Sequence, residues 1–350
     1  MWKHRTLADA AELPETPPAV PPEQAQPWCN FVLWTPGRVP AGCELETGTL
    51  RKEAPPGRVE GHTAGRTPWS DNNPAAYRFE IAGSGRRLRV KQFLYDWAFP
   101  ALDHPCLWES RTHAAPIDDR HVVWFGTDYL KNAAASARLD RTTVELSVLR
   151  GTFSEAEILD LYRAMRPAEP AVLADFAATP FAALSYWARR PEAAAVNVPV
   201  GLWTFRRRRS RECRWESGAA AERLVAGLGL PLALGGLDLD GAARFTDDQG
   251  REEVEAVYSG RPERGRELRL IAQESGRGSL RVPAEPEDQP GERDTVRVAG
   301  AEVQLGWIDE RYGPFQAVYA HGGVEATLLA STAVGMDRAW FLEALAEAMP

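Results

Sequence analysis

Short segments of this chain recur in the same order about half a chain later, and this internal repeat restricts the fold more than composition does. Leu88-Arg89-Val90 answers Leu268-Arg269-Leu270 at an offset of 180 (268 − 88). Val144-Glu145-Leu146-Ser147-Val148-Leu149 answers Val324-Glu325-Ala326-Thr327-Leu328-Leu329 at the same offset, as Val123 with Gly126 answers Val303 with Gly306. Three anchors at one offset argue for a duplicated unit. A chain of 350 residues exceeds the roughly 250–300 at which single cores stop growing, so the repeat gives the natural division into two domains.

Residues 1–26 carry Pro14, Pro17, Pro18, Pro21 and Pro22 among Ala, Glu and Gln, an extended arm expected to be disordered or to lie across a partner or the other repeat, with disorder favoured. The first repeat, 27–167, opens on an apolar strand, Phe31-Val32-Leu33-Trp34. Tyr77–Ile81 and Leu88–Phe93 alternate around Gly83-Ser84-Gly85 as a hairpin does, and Val122–Phe125 and Thr143–Leu149 add strands. Ser154-Glu155-Ala156-Glu157 is a capping box, and Ile158, Leu161, Tyr162 and Met165 form the apolar stripe of a helix that Pro167 stops. Residues 168–197 form an Ala- and Leu-rich helical bridge interrupted by Pro180.

The second repeat, 198–350, follows the same plan. Val254–Tyr258 and Leu268–Ile271 form the matching hairpin, Val296–Val298 and Ala301–Leu305 a second one around Ala299-Gly300, and Phe315–Tyr319 precedes Val324–Leu329. A last helix starts near Asp337 and buries Phe341, Ala344, Leu345 and Ala348. Strands followed by one helix, twice, predict an α+β protein: two tandem repeats, each a mainly antiparallel sheet with a C-terminal helix on one face, packed as a pseudo-dimer.

Val39-Pro40-Ala41-Gly42-Cys43-Glu44-Leu45, Val298-Ala299-Gly300-Ala301-Glu302-Val303 through Trp307, and Val318-Tyr319 carry a resemblance. In two tandem copies the chain loosely resembles an uncharacterised bacterial domain found at the C-termini of anti-sigma-factor-like and lipoprotein-sorting-like proteins. The pattern departs at Cys43, where that family has an aromatic residue. The resemblance implies a curved sheet used for binding, with no catalytic residues to carry over.

Composition narrows the function classes. A net charge of −8 argues against generic polyanion binding, so a nucleic-acid role would have to be local. No apolar run approaches the roughly 20 residues of a membrane span, and the N-terminus lacks the apolar stretch of a secretory signal, so a cytoplasmic protein is expected. Cys29, Cys43, Cys106 and Cys213 are scattered without a CxxC, which speaks against a zinc ribbon or a disulfide scaffold. No G-x-S-x-G, P-loop or dinucleotide-binding fingerprint occurs.

Two segments stand out. Tyr95–Glu109 occurs in the first repeat alone, and its aromatics, Trp97 and Trp108 among them, suit packing or partner contact. In and after it, His104, Cys106, His113 and His121 are ligand types that zinc favours, and three of them with an open fourth position would make a hydrolytic site. The second segment interleaves Arg206, Arg207, Arg208, Arg209 and Arg211 with Trp203 and Phe205, the one strongly basic stretch in an acidic chain. It suits an acidic partner surface, a phosphate backbone, an internal ion-pair network or a charged edge strand. The expected function is a non-catalytic binding or assembly protein, an accessory subunit presenting sheet and loop surfaces to a protein partner, with no cofactor. The alternative is a zinc-dependent hydrolase with its site in the first repeat.

Overall fold

The computed structural model describes residues 19–26, 29, 31–52, 75–94, 111–128, 131–140, 142–178, 198–200, 203–207, 210–247, 250, 252–260, 266–276, 281–283 and 292–349. They fall into two compact units, residues up to 178 in the first and from 198 in the second. Both are mostly antiparallel sheet with few helices, an α+β arrangement. Among the described residues no helix is long and apolar enough to cross a membrane.

The first unit contains α1 (Pro22–Ala25), β1 (Trp34–Pro36), β2 (Glu44–Leu45), β3 (Thr49–Lys52), β4 (Ala75–Gly83), β5 (Arg86–Leu94), β6 (Arg111–Pro116), β7 (Val122–Thr127), β8 (Ala133–Leu139), β9 (Thr142–Arg150), α2 (Glu155–Arg163), β10 (Met165–Pro167) and α3 (Pro170–Ala178). Its main sheet runs β2-β4-β5-β9-β8-β7-β6, with β3 also on β4, and β1 pairs with β10 separately. The second contains β11 (Val198–Val200), β12 (Trp203–Arg207), β13 (Ser210–Glu216), α4 (Ala219–Ala226), β14 (Ala233–Leu234), β15 (Leu237–Asp247), β16 (Glu252–Ser259), β17 (Glu267–Glu274), β18 (Arg281–Pro283), β19 (Glu292–Val298), β20 (Ala301–Trp307), β21 (Phe315–His321), β22 (Val324–Ala330) and α5 (Arg338–Glu347). Its main sheet runs β13-β15-β16-β17-β22-β21-β20-β19, with β14 on β15, beside a small sheet β11-β12-β18.

The two main sheets share one strand order over six strands. A hairpin, β4-β5 or β16-β17, is joined at its second strand by the last strand of a four-strand meander, β9-β8-β7-β6 or β22-β21-β20-β19. With Val123 set against Val303, the registers align the strands residue by residue. Val123 faces Ala137 where Val303 faces Tyr319, so the offset is 180 on β7 and β20 (303 − 123) and 182 on β8 and β21 (319 − 137). Ala137 in turn faces Val144 as Tyr319 faces Ala326, again 182 (326 − 144). The sequence match of Val144 to Val324 is therefore two residues out of register with the strands. A two-residue slip keeps every side chain on its own face, which is why the alternation alone could not detect it.

Local chemistry sets the turns and helix ends. Ser84 and Gly85 have φ of 50° and 74°, the two left-handed residues of a type I′ hairpin loop between β4 and β5. Ala299-Gly300, with φ of 48° and 82°, does the same between β19 and β20. Ser154 and Glu157 form the reciprocal capping box on α2, and Ile158, Leu161 and Tyr162 are buried. The helix ends at Arg163 rather than at Pro167, because Met165–Pro167 leaves it to pair with β1. Asp337 caps α5 by accepting from the Trp340 amide at 2.9 Å, and Phe341, Ala344, Leu345 and Ala348 are buried as the sequence predicts.

Two expectations change in the first unit. Strand structure begins only at Trp34; Phe31, Val32 and Leu33 are fully buried, with side chains serving their backbone groups. The Leu33 amide donates to Gln26 Oε1 at 2.7 Å and Thr142 Oγ1 donates to the Val32 carbonyl at 2.8 Å. The arm is not loose over 19–26: the Val20 amide donates to the Gly48 carbonyl and Tyr77 Oη donates to the Val20 carbonyl, each at 2.8 Å. Pro22 then opens the single turn of α1, where its missing N–H costs nothing, and Ala25 is buried.

Gly83 closes the β4 side of the hairpin with φ of 154°, and a Cβ there would run into the Gly42 carbonyl and the Cys43 backbone. Gly83→Ala is expected to destabilise the first unit by about 2 kcal/mol, read as a lower urea midpoint at an unchanged slope.

Each main sheet buries two unlike faces. In the second unit Ala256, Tyr258, Leu268 and Leu270 join Phe341, Ala344 and Leu345 in an apolar cluster with α4 and α5. The intervening residues Glu253, Glu255, Arg269 and Gln273 are buried as well. The first unit repeats the scheme: Leu88, Val90, Val144 and Leu146 share the apolar face, while Ser136, Arg138 and Thr143 are buried on the other. Burying charge demands paired partners, so these second faces are where the fold is most sensitive to single changes.

Candidate functional site

The residues that carried functional expectations are dispersed. His104, Cys106, Trp97, Trp108, Arg208 and Arg209 lie outside the described residues. The arginine stretch is divided between two sheets: Trp203, Phe205, Arg206 and Arg207 are on β12, the central strand of the small sheet, and Arg211 is on β13, the edge of the main one.

His113 and His121 belong to the β6-β7 hairpin but occupy different parts of it. Pro116 pairs with Val122, so His121 sits at the turn, while His113 lies farther up β6, opposite Phe125. Among the described residues no group of three or more His, Cys, Asp or Glu side chains is placed to hold a metal ion.

His121 is instead the centre of a charged clasp. Asp118 shapes the β6-β7 turn by accepting from the Arg120 and His121 amides at 2.8 and 2.7 Å, and the Ile117 amide closes it on the His121 carbonyl. The imidazole, only 5 % exposed, donates from Nδ1 to Asp118 Oδ2 at 2.8 Å. Its Nε2 lies 3.7 Å from Asp140 Oδ1, in the β8-β9 turn, so the ring ties two hairpin ends together. Burial disfavours the imidazolium, but the hydrogen bonds and charges of Asp118 and Asp140 outweigh it and raise the His121 pKa to about 9. With Nε2 protonated, its partner is the Asp140 carboxylate rather than the Asp140 amide at 3.4 Å, since a protonated nitrogen cannot accept. Burial pushes the Asp118 carboxyl up, yet the bonds from the His121 ring and amide hold it well below the usual carboxylate range.

A locked imidazolium is a poor base and a poor metal ligand, because both functions need a free ring nitrogen. Its contribution is to stability, and it depends on pH. The folded pKa of about 9 stands above the ordinary 6.5, so the full contribution, about 3 kcal/mol, is present below pH 6.5 and is lost as pH rises through about 9. Urea midpoints measured between pH 6 and 9.5 should fall for the native chain and stay flatter for His121→Leu.

His113 takes part in a different arrangement. Its ring stacks on Phe125 at 5.1 Å between centroids, and Nε2 donates to Glu155 Oε2 at 3.0 Å, in the first turn of α2. Beneath that pair, α2 and the sheet frame a half-open cavity of about 170 Å³ lined by Leu88, Phe125, Gly126, Ala133, Ala134, Ala135, Leu146, Val148, Phe153, Glu155 and Ile158. Glu155 is the one charged group in this lining. Sequence reasoning named His113 but had no signal for the cavity, which forms because β8 presents alanines where a sheet under a helix normally presents bulk.

No family model, curated protein or solved structure matches this chain. Its function has to be inferred from its own residues.

Proposed function

We propose that this chain is a non-catalytic binding or assembly protein, an accessory subunit whose two repeats arose by duplication and pack as a pseudo-dimer to present sheet and loop surfaces to a protein partner. One observation carries the proposal: the two units keep the same six-strand order, while the His121 clasp of the first has no counterpart in the sequence of the second. Ala301 stands at the offset of 180 from His121 (301 − 121), and no counterpart of the clasp is kept there. A duplicated frame that keeps Arg89 and Arg269 but not the His121 clasp favours retained surfaces over a retained reaction. The arginine stretch, Arg206 to Arg211 with Trp203 and Phe205, and the aromatic loop with Trp97 and Trp108 supply the residue types that dominate interface energetics.

Native mass spectrometry of the protein purified from its host at low and at high salt tests this. A stoichiometric protein partner that dissociates as salt rises is expected, because docking through the arginines is screened. A lone chain carrying a zinc-sized mass that His104→Ala removes would replace this proposal with the hydrolase alternative.

A further inference from the structure

The cavity under α2 has a filled counterpart in the second unit. Strand β8 reads Ala133-Ala134-Ala135-Ser136-Ala137, and by register Ala133 corresponds to Phe315 and Ala137 to Tyr319 on β21, both at 182 (315 − 133 and 319 − 137). The helices correspond through their N-caps, Ser154 and Asp337, at 183 (337 − 154), which places Ile158 opposite Phe341. In the second unit the Phe315 and Phe341 rings stack at 5.2 Å and 19°, and both residues are buried. In the first unit the same two places hold Ala133 and Ile158, and both line the cavity. Two rings are missing, and the space they would fill is open.

We infer that this cavity binds a small ligand bearing one aromatic ring and an amine head. An apolar cavity of about 150 Å³ accepts one benzene ring, so about 170 Å³ suits a single ring and no more. The walls from Leu88, Phe125, Leu146, Val148, Phe153 and Ile158 are apolar, and Phe125 offers an aromatic surface for stacking. The mouth selects the head group. Glu155, its side chain 64 % exposed, uses one oxygen on His113, and a carboxylate has further acceptor sites for an ammonium donor. Neither the strand nor the helix has to move, because Ala133 is exposed and leaves that side of the cavity open.

The test is an NMR titration of the full chain with 2-phenylethylamine and with ethylbenzene, which has the ring without the head. Saturable shifts and ring contacts at Phe125, Ile158 and Ala135 are expected for both, with the amine bound about fivefold more tightly and Glu155→Gln removing that difference. Ala133→Phe, which installs the ring found in the second unit, should weaken both ligands at least tenfold. Ile158→Phe provides the same blockade from the helix side should the first variant not fold. No saturable shift at these residues with tens of millimolar amine, or binding unchanged by the filling variants, overturns the site; equal affinity for the two ligands overturns the amine head.

Discussion

Replacing Arg269 by Met should cost the protein about 3–5 kcal/mol, far more than a typical surface charge. Glu255 on β16 is fully buried and Arg269 on β17 is 6 % exposed by side chain, and the two form an ion pair on the second face of the sheet. Their register explains why they meet. Glu255 faces Ile271 and Arg269 faces Val257, so the pair is a diagonal of the β16-β17 hairpin, within reach of a long side chain. Removing the guanidinium takes a counter-charge away from a carboxylate in a place that water does not reach, and that is the source of the loss. Truncating both partners to apolar residues of similar volume, Arg269→Met with Glu255→Leu, should recover most of it, since paired desolvation is then avoided on both sides. Urea unfolding of the two single variants and the double closes the cycle, and strictly additive losses would show that the pair is not coupled.

The frame of the molecule was largely legible in the sequence because it rests on periodicity and turn chemistry. The I′ loops at Ser84-Gly85 and Ala299-Gly300, the capping box at Ser154 and the helix from Asp337 are local signals, and each is present. Strand β8 was missed because Ala133-Ala134-Ala135-Ser136-Ala137 has neither alternation nor β-branched residues; its place in the sheet is given by its neighbours β7 and β9. α4 was missed for a similar reason, its Ala-rich start having Gly218 and no side-chain cap. The site was less legible still. The histidine spacing suggested shared ligands, but the partners these rings have were not legible: Glu155 for His113, and for His121 Asp118 and Asp140, which come from two different turns. A cavity has no sequence signal of its own; the absence of bulk at Ala133 gains meaning only beside Phe315, which the strand registers set against it.

The second large effect is expected at that counterpart. Phe315→Ala removes a ring that is 1 % exposed and stacked on Phe341, so the loss combines transfer, cavity and aromatic terms and should reach about 3–5 kcal/mol. Its neighbours are held from elsewhere, with Tyr319 Oη donating to the Ala348 carbonyl at 3.1 Å, so collapse onto the vacated space is limited. The variant is expected to carry in its second unit the opening that the native chain has in its first.

The claim that the two units are one plan, filled in one copy and open in the other, is tested most directly by chemical rescue of Phe315→Ala. Urea midpoints of the variant are measured with and without benzene. If the units correspond as their registers indicate, benzene at about ten times its Kd should restore about 1.4 kcal/mol to the variant, and ring contacts should appear at Phe341. A destabilised variant that benzene neither binds nor stabilises would contradict the correspondence.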